Sequence, residues 1–315
     1  MPELVVGANL PWLDYGQDFG ANAWQPRGGL ARPERRDRLR RALGDLAASG
    51  ASLVRWWLLG DGRAGLREDD QGHVASLDDR VLPDVDAAIE GLREAGLRAQ
   101  FVLTDFLWLD TPRTVDGARL GGRRDHLRDP SLRARLLEHV FAPIAERYGR
   151  EASIAGWDLM NEPEWATLGV GTLDPRRSVS RREMRAFLAG AASVFRGRAT
   201  QPLSVGLASA RWLSLAEGLD LDEGQVHWYE SLDPVSTLAR PVATLGLGRP
   251  LLLGEFPTRG SSLPPPAILE IAREAGYSGA LAWSALASDR ATDSSACRVA
   301  LRDWCGRAAP DLRQA

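Results

Sequence analysis

The stretch that decides the fold is Ile154-Ala155-Gly156-Trp157-Asp158-Leu159-Met160-Asn161-Glu162-Pro163, a strand-length apolar run that ends on a carboxylate and breaks into a proline turn. A second run of the same design, Leu251-Leu252-Leu253-Gly254-Glu255-Phe256, comes much later and also ends on a glutamate. Short apolar runs bounded by turn residues read as buried strands. A carboxylate just past such a strand lies where parallel α/β barrels keep their reactive groups.

Working outward from this pair, strand-like runs alternate with helix-length amphipathic segments, the signature of repeated βα units. The expected strands are Leu4–Asn9, Leu53–Leu58, Arg98–Leu103, Ile154–Met160, Leu203–Ala208, Gln225–Trp228, Leu251–Gly254 and Ala280–Trp283. Helices are expected over Pro33–Ser49, Leu82–Ala95, Pro130–Tyr148, Ser180–Arg196, Trp212–Gly218, Pro234–Leu245, Pro264–Ala275 and Ser294–Arg307. Eight units predict an α/β fold, a (β/α)8 TIM barrel with extended βα loops. No linker or compositional break divides the chain, so residues 1–315 are read as one catalytic domain. Three long loops leave strand ends and are expected to wall a cleft: Gly60–Arg80, with a hairpin around Asp69-Asp70-Gln71-Gly72, Asp110–Asp129, and Pro163–Val179.

Composition narrows the chemistry. Hydrophobic residues make up 44% of 315 and charged residues 26%, enough for a large core without disorder. Net charge is −3 with arginines scattered among acids, which argues against a nucleic-acid partner. The chain contains no lysine, which excludes Schiff-base and pyridoxal phosphate enzymes and the P-loop. The four histidines, His73, His126, His139 and His227, show no metal-ligand spacing, and no glycine fingerprint follows a strand, so neither metal nor cofactor is expected. Cys297 and Cys305 lie about 12 Å apart along one expected helix and do not bridge each other. No segment approaches the ~20 apolar residues of a membrane helix. A cytoplasmic location is the default expectation, a trimmed leader being the alternative.

Two carboxylates on separate strand ends can divide the breaking of a glycosidic bond, one protonating the departing oxygen while the other attacks the anomeric carbon. The motifs around them carry a resemblance. The chain resembles the clan A retaining glycoside hydrolases, and most of all glycoside hydrolase family 5, the cellulase and mannanase family. The resemblance implies that Glu162 is the acid/base, Asn161 binds the sugar 2-hydroxyl and Glu255 is the nucleophile. It places His227 near the acid/base, Tyr229 and Arg55 against the nucleophile, and Trp283 under the reacting sugar. Many members carry histidine at the end of the third strand, where this chain has Asp105, expected to meet a substrate hydroxyl or to cap a turn.

On physical grounds an arginine beside Glu255 favours its ionised form. Eleven tryptophans are many for this length, and flat aromatic faces suit pyranose rings. Trp12, Trp56, Trp108, Trp165, Trp228 and Trp283 are taken as sugar platforms, and the loop Asn9–Gly16 as part of a sugar site. The reading is a retaining β-glycoside hydrolase acting on oligosaccharides or glycosides of β-glucan or β-mannan type. It requires carboxyl groups about 5–5.5 Å apart rather than the ~6.5–9.5 Å of an inverting site. The competing readings are an inactive carbohydrate-binding barrel and a transglycosylase. The partner is carbohydrate; neither nucleic acid nor membrane is expected.

Overall fold

In a computed structural model, the structure describes residues 4–287 and 289–308. Eight parallel strands close into a barrel: β1 Val5–Leu10, β2 Leu53–Trp57, β3 Arg98–Val102, β4 Ile154–Asn161, β5 Leu203–Leu207, β6 Gly224–His227, β7 Leu251–Pro257 and β8 Gly279–Trp283. Each strand pairs with its neighbours in chain order, and β1 pairs with β8 to seal the sheet. This is the expected (β/α)8 TIM barrel. No helix among the described residues is long and apolar enough to cross a membrane.

Strand alternation sorts the side chains into two cores. Outward-facing Val54, Trp56, Phe101 and Trp157 join the layer between sheet and helices, with Phe19, Phe141, Phe187 and Phe195. Inside the barrel, Leu53, Leu252 and Leu281 make a small apolar plug. Above it lies a polar layer, in which Gln100 donates to Ser204 at 3.1 Å and Gln225 to Asp158 at 2.7 Å. Such a layer persists only where its members satisfy one another.

Most helices match the sequence reading, but three differ for identifiable reasons. Pro130–Tyr148 is helical throughout yet widens into a π turn at Leu137–Phe141, next to Pro143, whose ring clashes with the carbonyl four residues back. The helix expected over Trp212–Gly218 is instead a 3-10 helix, Ala210–Leu215. The one expected over Pro234–Leu245 divides into Val235–Leu238 and a 3-10 turn, Val242–Leu245, because Pro241 has no N–H to continue it. The hairpin expected after β2 is present, pairing Leu66–Glu68 with Val74–Leu77. A second one pairs Arg113–Val115 with Ala118–Leu120 through Asp116-Gly117, both at positive φ. An Asp-Gly pair between short runs is a hairpin signal.

Gly206 on β5 leaves the space this polar layer occupies. A Cβ there would lie 2.6 Å from Arg55 Nη2 and 2.8 Å from Asp158 Oδ2. Gly206→Ala is therefore predicted to destabilise the barrel by about 1–3 kcal/mol, read by chemical denaturation. An unchanged midpoint would contradict this packing.

Candidate active site

The C-terminal ends of the strands converge on a cleft of about 640 Å³, a volume suited to a small ligand. Arg55 lies at its base, fully buried. Its Nε and Nη2 reach Asp158 Oδ2 at 3.0 and 2.7 Å, Nη1 reaches Glu255 Oε1 at 2.8 Å and Asn9 Oδ1 at 3.1 Å, and Nη2 also reaches Asn161 Oδ1 at 2.7 Å. One guanidinium thus ties β1, β2, β4 and β7 together. Asn9 completes the tie by donating to Gly254 O at 2.9 Å.

Local backbone irregularities aim the reactive groups. The register slips between Asp158 and Asn161 on β4, between Val226 and His227 on β6, and between Leu253 and Phe256 on β7. Bulges of this kind re-aim side chains beside active sites. Glu162 itself is left-handed, with φ 47° and ψ 50°, a conformation that costs a non-glycine residue energy. Its N–H is pinned to Gly206 O at 2.6 Å, and its carbonyl accepts from Trp165 N at 3.1 Å.

Glu162 and Glu255 meet at the cleft with very different partners. Glu255 accepts Arg55 at 2.8 Å and the Tyr229 hydroxyl at 2.7 Å, and His227 Nδ1 is 3.6 Å away. Glu162 meets His227 Nδ1 at 2.8 Å and the Trp165 side chain, and has no direct hydrogen bond to Arg55. Ligand oxygens of the two carboxylates and the His227 nitrogen all lie within 4.8 Å of one another. Burial pushes the Glu162 carboxyl from 4.5 up to about 7, with the negative Asp158 adding to it and Arg55 opposing. Burial raises Glu255 as well, with the negative Glu162 adding to it, while Arg55 and the Tyr229 hydroxyl oppose the rise by favouring the carboxylate. His227 is lowered to about 4 by burial, so its imidazole is neutral at neutral pH. The pair can therefore hold one proton on Glu162 beside an ionised Glu255.

Glu162, His227 and Glu255 are also the described residues whose donor atoms converge closely enough to hold a metal ion. The Arg55 guanidinium 2.8 Å from Glu255 already supplies the cation, and a second positive charge there would be repelled.

Several expected residues take other places. Trp56, Trp108 and Trp228 are buried core and not sugar platforms. Trp56 points outward between Arg55 and Trp57 and donates to Asp18, while Trp108 and Trp228 donate to the carbonyls of Leu59 and Pro234. Trp12, Trp165 and Trp283 do line the cleft, and so does Trp57, which alternation turns inward. Trp57 lies 4.4 Å from the Arg55 guanidinium and edge-on to Trp283 at 5.7 Å. Asp105 caps the turn after β3 by accepting from Leu107 N at 2.9 Å, and it also accepts from Asn161 Nδ2 at 2.7 Å and Trp57 Nε1 at 3.2 Å. It thereby fixes which way the Asn161 amide faces. The sequence reading put Asn9 in a sugar-site loop, whereas it ties Arg55 to β7, and it missed Asp158 and Glu164. The usable signal for Asp158 was a charge inside an otherwise apolar strand. Glu164, fully buried, accepts from Ala208 N, and burial raises its carboxyl well above the ordinary value.

No protein-family model matches the chain. A mannan endo-1,4-beta-mannosidase of Mytilus edulis is 24% identical over 326 aligned residues, spanning 89% of this chain and 83% of the relative. An endo-1,4-beta-mannanase structure from Eisenia fetida superposes with a TM-score of 0.79 at 20% identity, covering 96% of this chain and 91% of that one. The Mytilus edulis beta-mannanase structure gives 0.74 at 22%, covering 95% and 91%. The chain is a glycoside hydrolase barrel like those of family 5. The resemblance read from its sequence motifs is borne out along nearly the whole length.

The site's electrostatics make a direct prediction. In carbon-13 NMR of glutamate-labelled protein, the signal removed by Glu162→Gln should titrate near 7. A midpoint near 4.5 would contradict the environment described.

Proposed function

We propose that this glycoside hydrolase cleaves β-1,4-linked mannan within the chain, with net retention of anomeric configuration. The observation that carries the mechanism is the approach of the two carboxylates to within 4.8 Å, in keeping with the ~5–5.5 Å of retaining sites and not with the wider gap of inverting ones. The choice of mannan rests on what the similar proteins are named for.

In the first step Glu162, protonated because it is buried, gives its proton to the glycosidic oxygen. Glu255 attacks the anomeric carbon, and the bond to the departing sugar breaks. Arg55 and Tyr229 hold Glu255 ionised and aimed before the attack. In the second step Glu162, now a carboxylate, takes a proton from water, and the resulting nucleophile releases the sugar from Glu255. Neutral His227 spans the gap between the carboxylates, so no third charge competes for the proton. Asn161, its oxygen held by Arg55 and its nitrogen by Asp105, keeps one N–H for the sugar 2-hydroxyl.

The test is turnover of β-mannan followed by proton NMR of the first-formed anomer, which should be β. Glu162→Gln should lower activity on mannan by about 10²–10⁴-fold, the usual range for general acid catalysis, and much less on an aryl mannoside whose leaving group needs no proton. Glu255→Gln should abolish turnover of both. An α-configured first product, or mannanase activity surviving in Glu255→Gln, would overturn the proposal.

A further inference from the structure

The turn that carries Glu162 interrupts the sheet at one rung. Glu162 N–H donates to Gly206 O at 2.6 Å, a bond that continues the pairing of β4 with β5. Bonds in a parallel ladder are evenly spaced, so a residue that donates to one carbonyl receives, on its own carbonyl, the N–H two residues further along the neighbouring strand. By that rule the Ala208 N–H belongs on the Glu162 carbonyl. It is not there. At φ 47° and ψ 50° the Glu162 carbonyl is turned away from β5 and accepts Trp165 N at 3.1 Å instead. A residue before a proline is ordinarily extended, so this left-handed turn is disfavoured on two counts and something must hold it.

Glu164 fills the open rung with its side chain. Its Oε1 accepts the Ala208 N–H, while its own carbonyl accepts Thr167 N and Gly171 N, each at 3.0 Å, which fixes the loop from which the side chain reaches back. Glu164 is fully buried, and its Oε2 meets no hydrogen-bond partner among the described residues. Burial first, and then the negative Glu162, keep a proton on this carboxyl. A neutral carboxylic acid accepts at one oxygen as a peptide carbonyl does, and it adds no charge to a site that already holds Asp158 and Glu255. Without it the buried Ala208 N–H would have no acceptor, and a buried donor left unpaired is costly. The nearest remedy is for the Glu162 carbonyl to swing back to β5, which would carry the Glu162 side chain out of its place.

We propose that Glu164 is a positioning residue for the acid/base: its carboxyl oxygen takes the place of the Glu162 carbonyl in the ladder between β4 and β5, and so holds the turn that points the Glu162 side chain into the cleft. Glu164 does not line the cleft itself, so it acts through the backbone of its neighbour. The proposal rests on the glycoside hydrolase reading and adds to it the residue that keeps the proton donor in position.

The experiment compares kcat/KM on β-mannan and on an aryl β-mannoside whose leaving group needs no proton, in the wild type, Glu164→Leu and Glu164→Gln. Glu164→Leu should lower the value on mannan by about 10²-fold, the cost of a catalytic group displaced by roughly an ångström. On the aryl substrate the fall should be only severalfold, because the proton donor matters little there. Glu164→Gln keeps an accepting oxygen and the neutral state, and should recover most of the loss. Equal falls on both substrates in Glu164→Leu, the result of a merely structural role, overturn the proposal, and so does a Glu164→Gln protein no better than Glu164→Leu. Where Glu164→Leu fails to fold, a folded Glu164→Gln protein that has lost about 10²-fold on mannan overturns it alone. A crystal structure of Glu164→Leu reads the turn without any turnover: Glu162 should leave the left-handed region as its carbonyl takes up the Ala208 N–H, and a Glu162 still near φ 47° overturns the proposal. Should the wild type cleave neither substrate while the turn relaxes as expected, the function proposed above fails and the tie from Glu164 to the turn stands.

Discussion

The constraint on which the site depends is a single guanidinium buried among more negative charge than it can neutralise. Arg55 is sealed from water and meets two carboxylates, Asp158 and Glu255, at 2.7 and 2.8 Å. An unpaired charge in such a place would cost several kcal/mol, so Arg55 and its acids stand or fall together. Because the count is one cation to two anions, further negative charge nearby is disfavoured. Removal from water raises Glu162 and Asp105 to about 7, with the negative Asp158 adding to the first shift and Glu162 to the second.

The division of labour proposed for the glutamates follows from the different partners each one meets. Glu255 receives the guanidinium and a phenol, and Glu162 an imidazole and the Trp165 side chain. Two chemically identical side chains thereby acquire different proton affinities, the pattern by which acid and base assignments are recognised. The same cluster joins four strands of a closed sheet, so the electrostatics of the site are inseparable from the architecture. Gly206, Gln225 and Ser204 belong to the chemistry in this sense, although none of them lines the cleft.

Much of this was legible in the sequence because it was local. The barrel strands are contiguous apolar runs, and Asn161-Glu162-Pro163, Gly254-Glu255-Phe256 and His227-Trp228-Tyr229 are short motifs at their ends. Side-chain facing was legible only where alternation was applied. Of neighbouring Trp56 and Trp57, one had to face the helices, and it was Trp57 that turned to the cleft. The ties from Arg55 to Asn9 and Asp158 arise when strands distant in the chain become neighbours, and no local pattern encodes them. The broken segment after β6 shows the converse, since Pro241 was visible in the sequence and its effect was underweighted.

In the proposed mechanism Glu255 forms a bond to the sugar while Glu162 handles the proton, and that bond can be trapped. Incubation with an activated 2-deoxy-2-fluoro-β-mannoside, followed by intact-protein and peptide mass spectrometry, should show one fluoroglycosyl group attached to the peptide that contains Glu255. A label on Glu162 or on another residue, or active enzyme that cleaves the reagent and never accumulates an adduct, would contradict the account.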